Sequence, residues 1–381
     1  MAIPCLRTTV YFVAFACLAV DWYFRHVVDH ELQTFVDHFP VTKYDSGPVY
    51  FLRFGPSRLA RFPPGLLDRF DWLLDLFDGL SKAPMYHQFT RVVGLSTPER
   101  QEVRDPRHIF ATASALPRIL ALAERDFDPG RSDRVLVLGG SDYHLSDALG
   151  RNHSERARTM IRIRRYFRTM FIESKDVSVD GVRVMPRGLS EHYLRRTSIP
   201  DAIAAIGSAD VHAKTRSTLM AFDYFSTFVD QPRLWDQVIV RDAANLAKLN
   251  RNDALWYGNS SLAQEAGVEM LIIPATEWWG RLASYRFLVT PIGSGIVPPK
   301  LVEALLVLTV PIVQRFNFAA FDDLVRLGFP LAVVDTWLEV TAANLKEWWR
   351  VLSPRLVSFR YHCLTAEGYW RVFTGQVERC G

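Results

Sequence analysis

Apolar and polar positions recur along this chain with two different periods, and the changes of period mark its elements. Leu66, Leu67, Phe70, Leu73, Leu74 and Phe77 fall three and four residues apart, which predicts a helix over 66–80 with one buried face. Pro48–Phe54 reads as a strand, and Ala111–Arg125 as a helix closed by the turn Asp128-Pro129-Gly130. Arg134–Gly140 (RVLVLGG) is apolar throughout and runs into two glycines, the pattern of a strand buried on both faces at a strand-to-helix junction. From Asn152 to Lys175 one side carries Arg156, Arg158, Arg162, Arg164, Arg165 and Arg168, while Met160, Ile163, Phe167 and Met170 take the other at helical spacing. Such a segment is a solvated helix face or a basic wall for a phosphate or acidic glycan.

Val182–Met185 and Met270–Pro274 read as strands, with Lys214–Phe225 and Val238–Val240 as further apolar segments. The last third alternates most clearly. Strand Arg286–Thr290, loop Pro291–Pro298, helix Pro299–Leu308, strand Val310–Val313, an aromatic helical segment, strand Leu331–Asp335 and helix Ala342–Leu352 follow in order. Strands alternating with helices in both halves predict an α/β class with parallel sheets. A length of 381 residues accommodates two cores.

The N-terminus differs from the rest. Thr8–Val20 is uncharged and preceded by Arg7, shorter than a full membrane span of about 20 residues. It reads as a signal peptide, a short signal anchor, or a buried helix, with the anchor favoured because no A-x-A cleavage site follows. The anchor reading implies a type II single-pass protein of the Golgi or endoplasmic reticulum with a lumenal body; the signal-peptide reading implies secretion. The sequons at Asn152 and Asn259 permit lumenal residence, and Cys363 and Cys380 are close enough in sequence to close one disulfide there.

Composition adds limits. Forty-nine per cent apolar and 23% charged residues exclude a disordered chain, and a net charge of +4 is too small for a dedicated nucleic-acid binder. The four cysteines lack zinc-site spacing, and Asp126-Phe127-Asp128 matches a D-x-D metal motif but sits where helix-end and turn chemistry explain it. No metal and no cofactor are therefore expected. Ten tryptophans, including Trp278-Trp279, are available for sugar stacking or for the core.

The segment with the most chemistry is Tyr285–Thr341. Its loop holds Gly293, Ser294 and Gly295, and its helix opens with Pro298-Pro299, suited to a first turn. Glycines let backbone approach a ligand, and first-turn amides favour phosphate. Lys300 adds a full positive charge beside a diphosphate, and Glu303 one turn later can accept from ribose hydroxyls.

Here the chain resembles a family. Gly293-x-Gly295-x(4)-Lys300-x(2)-Glu303-Ala304-Leu305, Val310-Pro311-Ile312-Val313 and Pro330-x-Ala332-Val333-Val334-Asp335-x-Trp337-x-Glu339-Val340-Thr341 are similar to the donor-binding half of exostosin-like glycosyltransferases. Upstream, Tyr166–Asp176 with Val184-Met185-Pro186-Arg187-Gly188-Leu189, and Gly139-Gly140-Ser141-Asp142-Tyr143-His144, resemble the family's earlier segments in the same order. The chain departs from the pattern at Val297 (usually aspartate), Lys300 (usually arginine) and Val302 (usually tryptophan).

The resemblance implies two facing Rossmann-like domains of the GT-B architecture after a short N-terminal hydrophobic segment. The expected division is 1–30 as targeting segment and stem, 31–205 as acceptor-side domain and 206–381 as nucleotide-sugar-binding domain. It implies inverting, metal-independent transfer of a sugar from a nucleoside diphosphate donor to a glycan or protein-linked hydroxyl. Donor contacts are expected from Gly293, Ser294, Gly295, Lys300, Glu303 and Arg187, and Asp142 and His144 are candidates for the base or for acceptor binding. The expected partners are the nucleotide sugar, the glycan and, through the N-terminus, a membrane, with homo- or hetero-oligomers left open. Two rival readings stand beside it: an inactive glycan-binding or assembly subunit, and a Rossmann oxidoreductase built on Val135–Gly140, which lacks the G-x-G-x-x-G fingerprint.

Overall fold

The computed structural model describes residues 69–74, 105–139, 143–150, 152–186, 188, 197, 199–221, 243–293 and 295–380. The expected N-terminal targeting segment, the strand at Pro48–Phe54 and the apolar run Val238–Val240 lie outside them. Among the described residues no helix is long and apolar enough to cross a membrane.

Two five-stranded parallel sheets organise the chain, giving an α/β protein with two Rossmann-like halves, as in the GT-B arrangement. The first contains β1 (Trp72–Leu74), β2 (His108–Ala111), β3 (Val135–Leu138), β4 (Thr169–Ile172) and β5 (Val182–Val184), side by side in chain order. Helices α1 (Leu116–Asp126), α2 (Leu145–Leu149) and α3 (His153–Tyr166) make its crossovers. Alternation along the strands divides its two faces. Ile109, Leu136, Leu138, Met170 and Ile172 pack with the helices on one face. Phe110, Val135, Val137, Phe171 and Val184 point to the other, where they join the core of the second half.

The second half opens with α4 (Ile199–Gly207). It continues through β6 (Arg216–Ala221), α5 (Ala243–Gly258), α6 (Ser261–Glu265), β7 (Val268–Leu271), α7 (Trp278–Ala283), β8 (Tyr285–Val289), α8 (Pro299–Leu306), β9 (Val310–Gln314), α9 (Ala319–Arg326) and β10 (Ala332–Val334). Its strand order is β10-β9-β8-β6-β7. The order reverses between β6 and β8, which pair directly, Leu219 opposite Leu288 and Met220 opposite Val289. Such a reversal is where an open parallel sheet leaves a crevice beyond the carboxyl ends of its strands.

Two terminal helices follow, α10 (Ala342–His362) and α11 (Ala366–Phe373). α11 returns to the first sheet. Trp370 meets Phe70 edge-on at 5.4 Å and the His108 ring at 4.7 Å, and Phe373 meets Phe171 at 4.9 Å. Glu367 pairs with Arg69. A second seam joins the halves directly. Lys175, just beyond β4, reaches Asp323 of α9 at 2.5 Å, and both side chains are buried. Arg326 reaches the other oxygen of Asp323 at 2.6 Å.

The structure corrects several expectations, most of them in the first half. Residues 72–74 are strand, not helix: the spacing fits both, and parallel pairing of Trp72 with Ile109 and Leu74 with Ala111 decides it. Ala111 ends a strand, and the helix after it starts at Leu116. The arginine-rich helix stops at Tyr166, and Met170 belongs to β4, where its alternation with Phe171 satisfies a sheet. β7 lies at 268–271, two residues before its expected start, and α8 ends at Leu306. α10 runs ten residues past Leu352 despite Pro354, because Leu352, Leu356 and Phe359 keep one face buried. Cys363 and Cys380 are free, buried thiols; burial pushes the Cys363 thiol upward, and its hydrogen bond to Cys380 lowers the latter.

Candidate functional site

The loop after β8 is fixed from two sides. Gly293 N–H donates to Gly295 O at 3.2 Å, closing the turn on itself. Asn250 of α5, fully buried, accepts the Ile292 N–H at 2.9 Å and donates to Gln314 Oε1 at 2.7 Å. Gln314 in turn donates to Asp335 O at 3.0 Å. This chain of amides ties together the carboxyl ends of β8, β9 and β10, where buried backbone groups would otherwise lack partners. Ser294 lies outside the described residues. Val297, where the family has aspartate, is 2% exposed, so packing holds this part of the loop.

α8 begins immediately beyond. Pro298 is its N-cap and Pro299 its first residue, so the helix starts without an amide to satisfy at that position. Lys300 leans across the strand-order reversal and donates to Ala221 O, the last residue of β6, at 3.1 Å. Its Nζ also lies 5.1 Å from the centre of the Trp278 ring. Glu303, three residues on and therefore on the same helix face, is buried and accepts the Trp278 indole N–H at 2.8 Å. The structure thus brings Lys300 and Glu303 together at the β6/β8 crevice through a residue of α7. Trp279 is turned elsewhere, donating to Thr197 Oγ1 at 3.1 Å.

One cation near the glycine loop was missed in the sequence. Arg251 of α5 donates to Ile292 O at 3.4 Å, and its Nη2 lies 3.7 Å from where a Cβ on Gly293 would be. No acidic side chain among the described residues forms an ion pair with it. Nothing local signals this role: Arg251 stands some forty residues before the loop, and only the sheet order brings α5 over β8.

The rest of the resembling segment is architectural. Glu339 Oε1 accepts the amides of Asp335 and Thr336 at 2.9 Å each, completing a capping box. Thr341 caps α10, and Asp335 pairs with Arg315.

On the first half, His144 stands at the N-cap position of α2, beyond the carboxyl end of β3, with Nδ1 3.8 Å from Asp176 Oδ2. Asp176 is held by the Ser146 amide at 2.9 Å. The His144 ring faces Phe318 of the second half, edge-on with centroids 6.4 Å apart. Phe318 is delivered by two successive left-handed residues, Phe316 (φ 51°) and Asn317 (φ 61°), a conformation non-glycine residues adopt at a cost. Asp142 and Arg187 lie outside the described residues.

Other motifs have local explanations. Asp126 pairs with Arg125, and Asp128 accepts the Gly130 amide at 2.8 Å. A Cβ on Gly139 would lie 2.7 Å from Met185 Sδ and 2.9 Å from Phe110 Cζ, so close packing accounts for that glycine. Asn152 caps α3 by accepting the Glu155 amide. Of the α3 arginines, Arg162 pairs with Glu124, Arg156 donates to Gly150 O and Arg164 to Asp180 O.

No protein-family model matches the chain, and no curated protein matches it. Among solved structures, the chain is similar to the crystal structure of Anabaena Alr3699/HepE in complex with UDP-glucose, at 15% sequence identity and a TM-score of 0.30. That similarity covers 73% of this chain and 76% of the other.

Proposed function

We propose that the chain is a glycosyltransferase, exostosin-like in its donor half, which holds a nucleoside diphosphate sugar at the β6/β8 reversal. The observation that carries this reading is the crevice itself: Lys300 bridges to the end of β6, Glu303 sits one turn on, and the amide-braced glycine loop with Arg251 stands beside them. Lys300, Arg251 and the first turn of α8 would stabilise charge on the departing diphosphate. Glu303 would accept from the ribose. The described strands of the first sheet run in chain order without a reversal, which favours the second half for the donor and the first for the acceptor.

His144 is the base in this reading. As the acceptor oxygen attacks the anomeric carbon and the bond to diphosphate breaks, the hydroxyl proton passes to the imidazole. With Nδ1 on the Asp176 side, Nε2 takes the proton and the Asp176 carboxylate steadies the imidazolium. Displacement in one step inverts the anomeric centre, and no resident metal is assigned a role.

A donor panel with released nucleoside diphosphate as readout tests the assignment. Glu303→Ala and Lys300→Ala are expected to weaken donor binding by tenfold or more, while His144→Ala loses transfer and keeps donor affinity. Native affinity in both α8 variants would show the donor site to be elsewhere. One observation favours the inactive-subunit reading: Lys300 and Glu303 both have partners within the protein. Donor binding without turnover on any acceptor would support it.

A further inference from the structure

At the centre of the proposed donor site stands a side chain outside the motif. Trp278 is buried at the first position of α7, and its two chemistries serve two residues of α8. The indole N–H donates to Glu303 Oε2 at 2.8 Å. The ring face lies under the Lys300 ammonium, 5.1 Å from centroid to Nζ. Glu303 is 4% exposed, and a carboxylate so buried needs donors to remain an acceptor of defined direction. Its terminal torsion is otherwise broad, so a bond at one oxygen fixes where the other points.

We propose that Trp278 is the positioning residue of the donor site and sets its preference for ribose: the indole N–H orients the Glu303 carboxylate towards the ribose hydroxyls, and the ring separately seats Lys300. This rests on the reading of the crevice as a nucleoside diphosphate site. The two roles are chemically separable. Trp278→Phe keeps an aromatic face for Lys300 and removes the N–H; Trp278→Leu removes both.

Calorimetric titration with uridine, guanosine and adenosine 5′-diphosphates, and with their 2′,3′-dideoxy counterparts, tests it. The native protein is expected to prefer the ribonucleotide by about tenfold or more, the range of a hydrogen bond to a charged group. Trp278→Phe is expected to lose most of that preference while competition by inorganic pyrophosphate stays within about twofold of native. Trp278→Leu is expected to weaken pyrophosphate competition as well, by about threefold or more. Because Phe is smaller and the variant could fail to fold, 3-benzothienylalanine at position 278, with sulfur replacing N–H in the same ring shape, gives the same comparison.

If the native protein binds no nucleoside diphosphate, the donor-site reading falls and the proposal with it. If it binds with a ribose preference that survives removal of the N–H, the donor site stands and the role of Trp278 is overturned.

Discussion

Lys214 offers the sharpest test of what holds the second half together. It precedes β6 and is 4% exposed. Its Nζ donates to Ala283 O at 2.6 Å, Val307 O at 2.5 Å and Thr309 Oγ1 at 3.0 Å. Ala283 ends α7 and Val307 caps α8, so one amine closes both helices that form the proposed donor site. Arg360, also buried, donates to Leu306 O at 2.9 Å and Ile206 O at 3.0 Å, adding the end of α4. The last carbonyls of a helix lack partners within it, and these two side chains supply donors to carbonyls that are buried or partly buried. Lys214→Met strands two carbonyls, each at a cost of about 1–3 kcal/mol. The loss is about 2–4 kcal/mol once relief of burying the amine is allowed for, or about 5–15 °C in melting temperature for a domain of this size.

The same residue gives a pH signature. Burial, reinforced by Arg360, pushes the Lys214 pKa down to about 7 from 10.5. Between those values the unfolded chain binds the proton and the folded protein releases it, so this group's contribution to stability rises with pH from about 7 to 10.5 and is lost as pH falls through 7. Scanning calorimetry of native protein and Lys214→Met at pH 6.5, 8 and 9 should therefore show a gap that widens with pH. Melting temperatures within 1 °C of each other, or a gap that does not change with pH, would refute the reasoning.

Gly328→Ala should be severely destabilising: φ is 102° and the new Cβ would collide with the Cys380 carbonyl oxygen, where the glycine ends α9 with the Gly328–Val325 and Phe329–Leu324 hydrogen bonds of a Schellman turn. Loss of soluble protein, or a denaturation midpoint corresponding to at least about 3 kcal/mol, is the check. Lys175→Met leaves Asp323 buried beside Arg326 alone and should cost about 3–5 kcal/mol in urea denaturation, whereas Lys175→Met with Asp323→Leu should recover much of it. Gly139→Ala should lower stability by about 1–3 kcal/mol through Met185 and Phe110 while leaving nucleoside diphosphate affinity, measured by calorimetry, unchanged.

The second half was legible because its strands are short, mostly apolar runs alternating with helical segments: Tyr285–Val289, Val310–Gln314 and Ala332–Val334 lie within a residue or so of their expected places. The first half was less so. Trp72–Leu74 and Met170 sit at spacings that satisfy a helix as well as a strand, and only pairing with β2, β3 and β5 decides between them. Lys300 and Glu303 were readable from their place after a glycine loop. Arg251, Asn250 and Trp278 were not, because strand order rather than sequence proximity assembles them.

The return of α11 to the first sheet has a consequence for biosynthesis. Phe70 packs against Trp370 and Phe373, Phe171 against Phe373, and Phe110 edge-on against Phe70, so this aromatic face lacks the two rings of α11 until residues 366–373 have left the ribosome. Domains usually fold in order of synthesis; here the earlier half must wait for the later one. A nascent chain arrested short of residue 366 should display an aromatic surface to chaperones that the finished protein hides.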